Sequence, residues 1–160
     1  MINIKKKKVD LIAFDFDGVF TNNQALIFED GSEAVFVNRS DGLAISKLRE
    51  TGFKMIIISS EKNNVVKTRA QKLNIPVING VINKKEALLE YCFQEGFDIK
   101  KTIFVGNDIN DKEVMMSVGI PICPNDAYSD IKKISKIILT KCGGEGVIRE
   151  LMEMILQEYR

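Results

Sequence analysis

No histidine occurs among the 160 residues, and that absence excludes more chemistry than any other feature of the composition. A Ser-His-Asp triad, a Cys-His pair and histidine-ligated zinc or iron are all ruled out, so proton transfer falls to Asp, Glu, Lys, Tyr or Cys. Cysteine is scarce as well. Cys92, Cys123 and Cys142 form no C-x-x-C pair and are odd in number, which fits free thiols in a reducing compartment. No apolar run approaches the roughly 20 residues of a spanning helix. Lys5 to Lys8 ahead of Val9-Asp10-Leu11-Ile12-Ala13-Phe14 imitates a signal peptide, but Asp10, Asp15 and Asp17 interrupt its apolar stretch, and the run reads as a solvated terminus. A bias of charge is also missing: 23 Lys and Arg against 22 Asp and Glu leave +1. Such a chain has no field to collect nucleic acid or an anionic membrane, and any phosphate binding must be local. With 45% hydrophobic and 28% charged residues, the expectation is a cytoplasmic globular protein forming one domain over residues 1–160.

What is present is an alternation of short β-branched runs with segments of helical period, which argues for an α/β fold with a mainly parallel sheet, a Rossmann-like three-layer sandwich. The expected strands are 9–14, 53–58, 77–79, 102–105, 120–123 and 136–139; the expected helices are 41–51, 63–73, 84–95, 110–118 and 127–135. Gly52, Gly96 and Gly119 fall where helices should stop. A last helix over 145–159 carries Val147, Ile148, Leu151, Met152 and Ile155 on one face, a core stripe. One segment departs from the alternation. Residues 24–28 and 33–37 flank Glu29-Asp30-Gly31-Ser32 as a protruding β-hairpin, each arm holding four consecutive apolar residues. A hairpin with one wet face should alternate, so both faces should be covered, by a second chain or by the protein's own helices.

The first strand ends in Asp15-Phe16-Asp17-Gly18-Val19-Phe20-Thr21. In an open α/β sheet the ligand crevice lies at the carboxyl ends of the strands, and residues two apart on extended chain face the same way. Two such carboxylates repel unless a cation sits between them, and hard oxygen donors suit Mg²⁺. Three more strand ends should converge there. Ile56-Ile57-Ile58 runs into Ser59, Lys84 opens a helix, and Ile103-Phe104-Val105 runs into Gly106-Asn107-Asp108-Ile109-Asn110-Asp111. Taken singly, Ser59, Asp108 or Asp111 would serve as helix caps; together they put acids, hydroxyl and amine at one edge.

Asp15-x-Asp17-Gly-Val-x-Thr21, the strand ending in Ser59, Lys84 and Gly-Asn107-Asp108-x-x-Asp111 resemble the four motifs of the haloacid dehalogenase-like phosphatases. The hairpin, Asn38-Arg39-Ser40-Asp41-Gly42 and Gly143-Gly144-Glu145-Gly146-Val147-Ile148-Arg149-Glu150 resemble their small branch without a cap domain. That branch holds the octulosonate 8-phosphate and nononate 9-phosphate phosphatases and the phosphatase-like domain of acylneuraminate cytidylyltransferases, in lipopolysaccharide and sialic acid biosynthesis. The resemblance implies a Mg²⁺-dependent phosphatase of a phosphorylated keto-deoxy sugar acid. Asp15 would be the nucleophile and Asp17 the acid and base. Ser59 and Lys84 would bind phosphate, and Asp15, Asp17, Asn107 and Asp108 would hold the metal. It also implies a homotetramer in which hairpins associate and the glycine-rich segment at 143–146 reaches a neighbour's site.

One position departs from the family pattern. Asn107 stands where the branch usually has a magnesium-binding aspartate, which removes a negative charge. This keeps open an alternative, a catalytically weak or inactive oligomerisation domain. For the sugar acid, Arg39, Glu61, Arg69 and Lys72 are the candidates to grip the substrate; Ser60-Glu61 with Arg69 and Lys72 resembles the nononate branch more than the octulosonate one.

Overall fold

The β-branched runs become strands β1 (Leu11–Phe14), β4 (Met55–Ser59), β5 (Val77–Asn79), β6 (Thr102–Val105), β7 (Ile120–Cys123) and β8 (Ile137–Ile138) in a computed structural model that describes residues 9–157. A short hairpin, β2 (Leu26–Ile27) and β3 (Glu33–Ala34), follows β1. The six longer-range strands form one sheet in the order β5-β4-β1-β6-β7-β8, every neighbour parallel. Between them run α1 (Arg39–Glu50), α2 (Asn64–Leu73), α3 (Lys84–Glu95), α4 (Lys112–Ser117), α5 (Ser129–Ile134) and, last, α6 (Val147–Gln157).

Side chains of a strand alternate between faces, and the sheet sorts its core accordingly. Ile12 and Phe14 of β1 pack with Ile57, Ile103 and Val105 under α1, α2 and α6. Leu11 and Ala13 pack with Ile56, Ile58 and Phe104 under α3, α4 and α5. These are the three layers expected. The apolar face of α6 is buried throughout, from Val147 and Ile148 to Leu151, Met152 and Ile155. Among the described residues the hairpin is the one excursion from the sheet before α1, and no cap domain overlies it.

Several boundaries move for local reasons. The first helix starts at Arg39 rather than 41, because the Asn38 side chain accepts the Ser40 N–H and caps it. The helix expected over 110–118 opens as a 3-10 turn, Ile109–Asp111, whose end groups Asp108 and Asp111 satisfy each other's backbone. Asn74, not a glycine, closes α2 in the left-handed conformation. Lys5 to Lys8 and the last residues expected in the final helix lie outside the described residues.

The hairpin ladder is shorter than its apolar runs suggest, with Leu26 opposite Ala34 and Ile27 opposite Glu33. Val35 and Val37 fold back on the core, and a bridge from Thr21 to Val37 ties the base down. Leu26, Ile27 and Phe36 stay 56%, 68% and 78% exposed, so the protein's own helices do not cover this face.

Asp41 is fully buried where α1 meets the start of α6. Its Oδ1 accepts the Arg149 N–H at 3.0 Å, while its Oδ2 has no hydrogen-bond partner among the described residues. Burial lifts its carboxyl to about 6, against the pull of the α6 N–H groups and of Arg69. A folded pKa above the unfolded one means that stability present below about pH 4 is lost as pH rises through 6, when the buried acid must ionise. Asp41→Asn keeps the acceptor without the charge. Denaturant titrations should show it more stable than the parent at pH 8, by up to roughly 3 kcal/mol, with the advantage gone at pH 4.

Candidate active site

Strand order reverses beside β1: the chain crosses from β1 to β4 on one side and returns later to β6 on the other. The carboxyl ends at such a reversal leave a crevice, and Asp15 and Asn107 stand at its two lips. Asp15 still belongs to the sheet through its N–H, which donates to the Val105 carbonyl at 2.9 Å.

The Asp15 carboxylate is held from one side only. Its Oδ1 accepts the Phe16 N–H at 2.7 Å and lies 2.6 Å from Lys84 Nζ, while Oδ2 has no partner among the described residues. Lys84, the first residue of α3, is buried and bonds Asp111 Oδ1 at 2.7 Å as well. Asp111 in turn accepts the Asn107 N–H at 2.9 Å through Oδ2. One ammonium thus fixes the ends of β1 and β6 together. Burial opposes its charge, but the two carboxylates outweigh burial and hold Lys84 above its usual pKa. For Asp15, burial and the Asp111 charge raise the carboxyl well above the ordinary range, with Lys84 pulling back.

Asp17 is half-buried two residues on, its Oδ1 3.4 Å from the Thr21 hydroxyl. Burial and then Glu61 raise its pKa, which Thr21 lowers. Ser59, at the end of β4, is buried and accepts the Glu61 N–H at 3.1 Å. Gly18 lies against the Asn107 amide so closely that a Cβ there would stand 1.8 Å from Nδ2. Only glycine lets the Asp17 loop meet the β6 loop.

These groups open on a cavity of about 120 Å³ whose lining includes Asp15, Asp17, Ser59, Glu61, Asn107 and Asp108. Among the described residues no lysine or arginine lines it, so the carboxylates of Asp15, Asp17, Glu61 and Asp108 share a small space. All its donors are hard oxygens, the chemistry Mg²⁺ takes. Among the described residues no three acids or cysteines form a ready metal cluster, in keeping with an amide at Asn107. Asp108 lines the cavity with its Oδ1 already bonded to the Ile109 N–H at 2.7 Å.

The other substrate candidates lie elsewhere. Arg39, Arg69 and Lys72 line a separate groove between α1 and α2, of about 430 Å³, together with Arg49 and Leu43. Arg69 Nη2 donates to the Asn38 carbonyl at 3.1 Å. The glycine-rich segment packs on its own chain. The Gly144 N–H donates to the Val19 carbonyl at 3.2 Å, and a Cβ on Gly143 would stand 2.4 Å from Gly18 O. The segment therefore backs the loop that carries Asp17. Asp111, legible only as a motif position or a cap, is the site residue that local pattern understated; its contact with Lys84 spans 27 residues.

A family model of haloacid dehalogenase-like hydrolases matches residues 56–151. The 3-deoxy-D-manno-octulosonate 8-phosphate phosphatase KdsC of Haemophilus influenzae is 26% identical over 154 residues, 96% of this chain and 86% of the relative. Among solved structures, a protein of Streptomyces avermitilis described as a HAD family hydrolase superposes with a TM-score of 0.92 at 39% identity, over 95% of this chain and 93% of that one. The octulosonate 8-phosphate phosphatase of Moraxella catarrhalis, solved with magnesium, phosphate and a KDO molecule, gives 0.91 at 29% identity, over 95% and 88%. On the family match over residues 56–151 and the superposition on solved relatives, the chain belongs to the haloacid dehalogenase-like hydrolases.

Proposed function

We propose that this chain is a Mg²⁺-dependent phosphatase that removes the terminal phosphate of a keto-deoxy sugar acid, of octulosonate 8-phosphate or nononate 9-phosphate type. The observation that carries the reading is the one-sided hold on Asp15: Lys84 and the Phe16 N–H take Oδ1 and leave Oδ2 free at the cavity. The substrate class is supported by the likeness to the phosphatases of Haemophilus and Moraxella.

Asp15 Oδ2 attacks phosphorus in line as the bond to the sugar oxygen breaks, and Asp17 gives that oxygen its proton. Water then attacks the aspartyl-phosphate, Asp17 takes its proton back, and inorganic phosphate leaves. The Ser59 hydroxyl at the cavity and the Lys84 charge behind Asp15 would meet the charge of the transferring oxygens as it redistributes. Asp15, Asp17 and the Asn107 amide oxygen would hold Mg²⁺, with Asp108 beside them. When bound, the ion supplies the positive charge that lets a carboxylate approach a phosphate dianion. Assembly as a homotetramer belongs to the same reading. The uncovered hairpin favours it, and it allows the cationic groove of one subunit to serve the acidic mouth of another.

A phosphate-release screen over sugar-acid phosphates, with and without Mg²⁺, tests the reading. Release on at least one keto-deoxy acid, only with the metal, is expected, and silence across the panel would reject it. Light scattering on the same sample should give a tetramer. A second reading, an assembly domain with little turnover, is favoured by Asn107 alone. Asn107→Asp separates the two: restoring the carboxylate should tighten Mg²⁺ binding about tenfold in calorimetry, since a unit charge at 4 Å is worth several kcal/mol gross near an effective dielectric of 20. Turnover that is absent in the parent and appears in this variant would favour the assembly reading.

A further inference from the structure

We infer that Thr21 is a positioning residue for the phosphatase reaction, its hydroxyl holding Asp17 by Oδ1 so that Oδ2 faces the leaving oxygen. The inference rests on the acid role given to Asp17 above and goes beyond it. Thr21 is completely buried. Its Oγ1 accepts the Gly18 N–H at 3.2 Å and the Asn23 N–H at 3.1 Å. Those two bonds use both lone pairs of the hydroxyl oxygen, so its hydrogen can only be donated. Asp17 Oδ1, at 3.4 Å, is the acceptor it has among the described residues. The bond is long, as catalytic contacts often are before substrate arrives.

The loop geometry gives that hydroxyl a second burden. Gly18 and Asn23 both have left-handed backbone, φ 78° and 63°, and Thr21 Oγ1 takes the N–H of each. A non-glycine residue in that region is strained and must be held there by its surroundings. Asn23 lines the catalytic cavity with Asp17. Behind the loop, the Gly143-Gly144 backbone presses on Gly18 and Asn22, so the loop cannot retreat. One hydroxyl therefore sets both the bend of the loop and the aim of the acid it carries.

A fault in aiming the acid has a signature that general loosening lacks. A sugar alkoxide leaves poorly without a proton, whereas p-nitrophenolate needs none. The ratio kcat/KM reports steps only through cleavage of the first P–O bond, so hydrolysis of the aspartyl-phosphate does not enter it. Thr21→Val should lower kcat/KM for the sugar-acid phosphate that turns over in the screen by roughly tenfold or more, and for p-nitrophenyl phosphate by less than about threefold. Thr21→Ser, which keeps the hydroxyl, should stay within about threefold of the parent on both. Should the valine variant not fold, Thr21→Ala serves, since water can enter the vacated space and bond the two N–H groups. Equal losses on both substrates, or a serine variant as impaired as the valine one, would overturn the inference. Asp17→Asn run alongside separates the two levels. Its losses should be larger and equally selective, and an unselective loss there would reject the acid role itself and Thr21's with it.

Discussion

Replacing Asp15 with asparagine abolishes phosphate release while the protein folds as before or better. The expected loss is roughly four orders of magnitude or more, because the amide that replaces Oδ2 is no nucleophile and no other group is placed to take its part. Stability should move the other way. Asp15 is buried beside Asp111, and both burial and that neighbour work against its charge. The neutral amide still offers an oxygen to the Phe16 N–H, and Lys84 keeps Asp111 at 2.7 Å. A phosphate assay with a thermal melt on the same preparation makes the comparison. Turnover within tenfold of the parent would remove Asp15 from its role.

Lys84→Met should be costly twice. It strips the ammonium from two buried carboxylates, and breaking a buried ion pair by removing one partner typically costs about 3–5 kcal/mol. It also removes the group that steers Asp15 Oδ1 away from the cavity. The penalty should depend on pH in a known direction. Without the lysine, nothing offsets the burial and the Asp111 charge that already raise the Asp15 carboxyl, so stability held at low pH is lost as pH rises and Asp15 must ionise. Urea denaturation at pH 5 and pH 8 should show a variant close to its parent at the first and far below it at the second. A constant difference would mean that Lys84 acts through packing alone.

The sheet was readable where strands are continuous apolar runs buried on both faces. Residues 102–105 and 120–123 need no tertiary information, and neither do the half-buried edge strand at 77–79 and α3, opened by Lys84 and closed by Gly96. Where side chains compete with the backbone, pattern fails. Asn38 draws α1 two residues earlier, and the mutual capping of Asp108 and Asp111 turns the start of a helix into a 3-10 turn. In the site, Asp15, Asp17, Ser59 and Asn107 were legible because strand ends converge at a predictable edge. Asp111 was understated because its contact with Lys84 depends on how α3 and the β6 loop pack. Arg69 and Lys72 share a groove, as their spacing implies, but spacing does not say where a helix aims it, and α2 turns them toward α1.

The strap at 143–144 gives the site an order of completion during synthesis. Asp15, at the end of the first strand, is made before Lys84, Asn107 and Asp111. A nascent chain that stops at Lys141 already holds every one of them. It still lacks the backbone that bears on Gly18 and Asn22, and the α6 residues that bury Asp41. The loop carrying Asp17 therefore gains this backing only after every acid, hydroxyl and amine around it has been made.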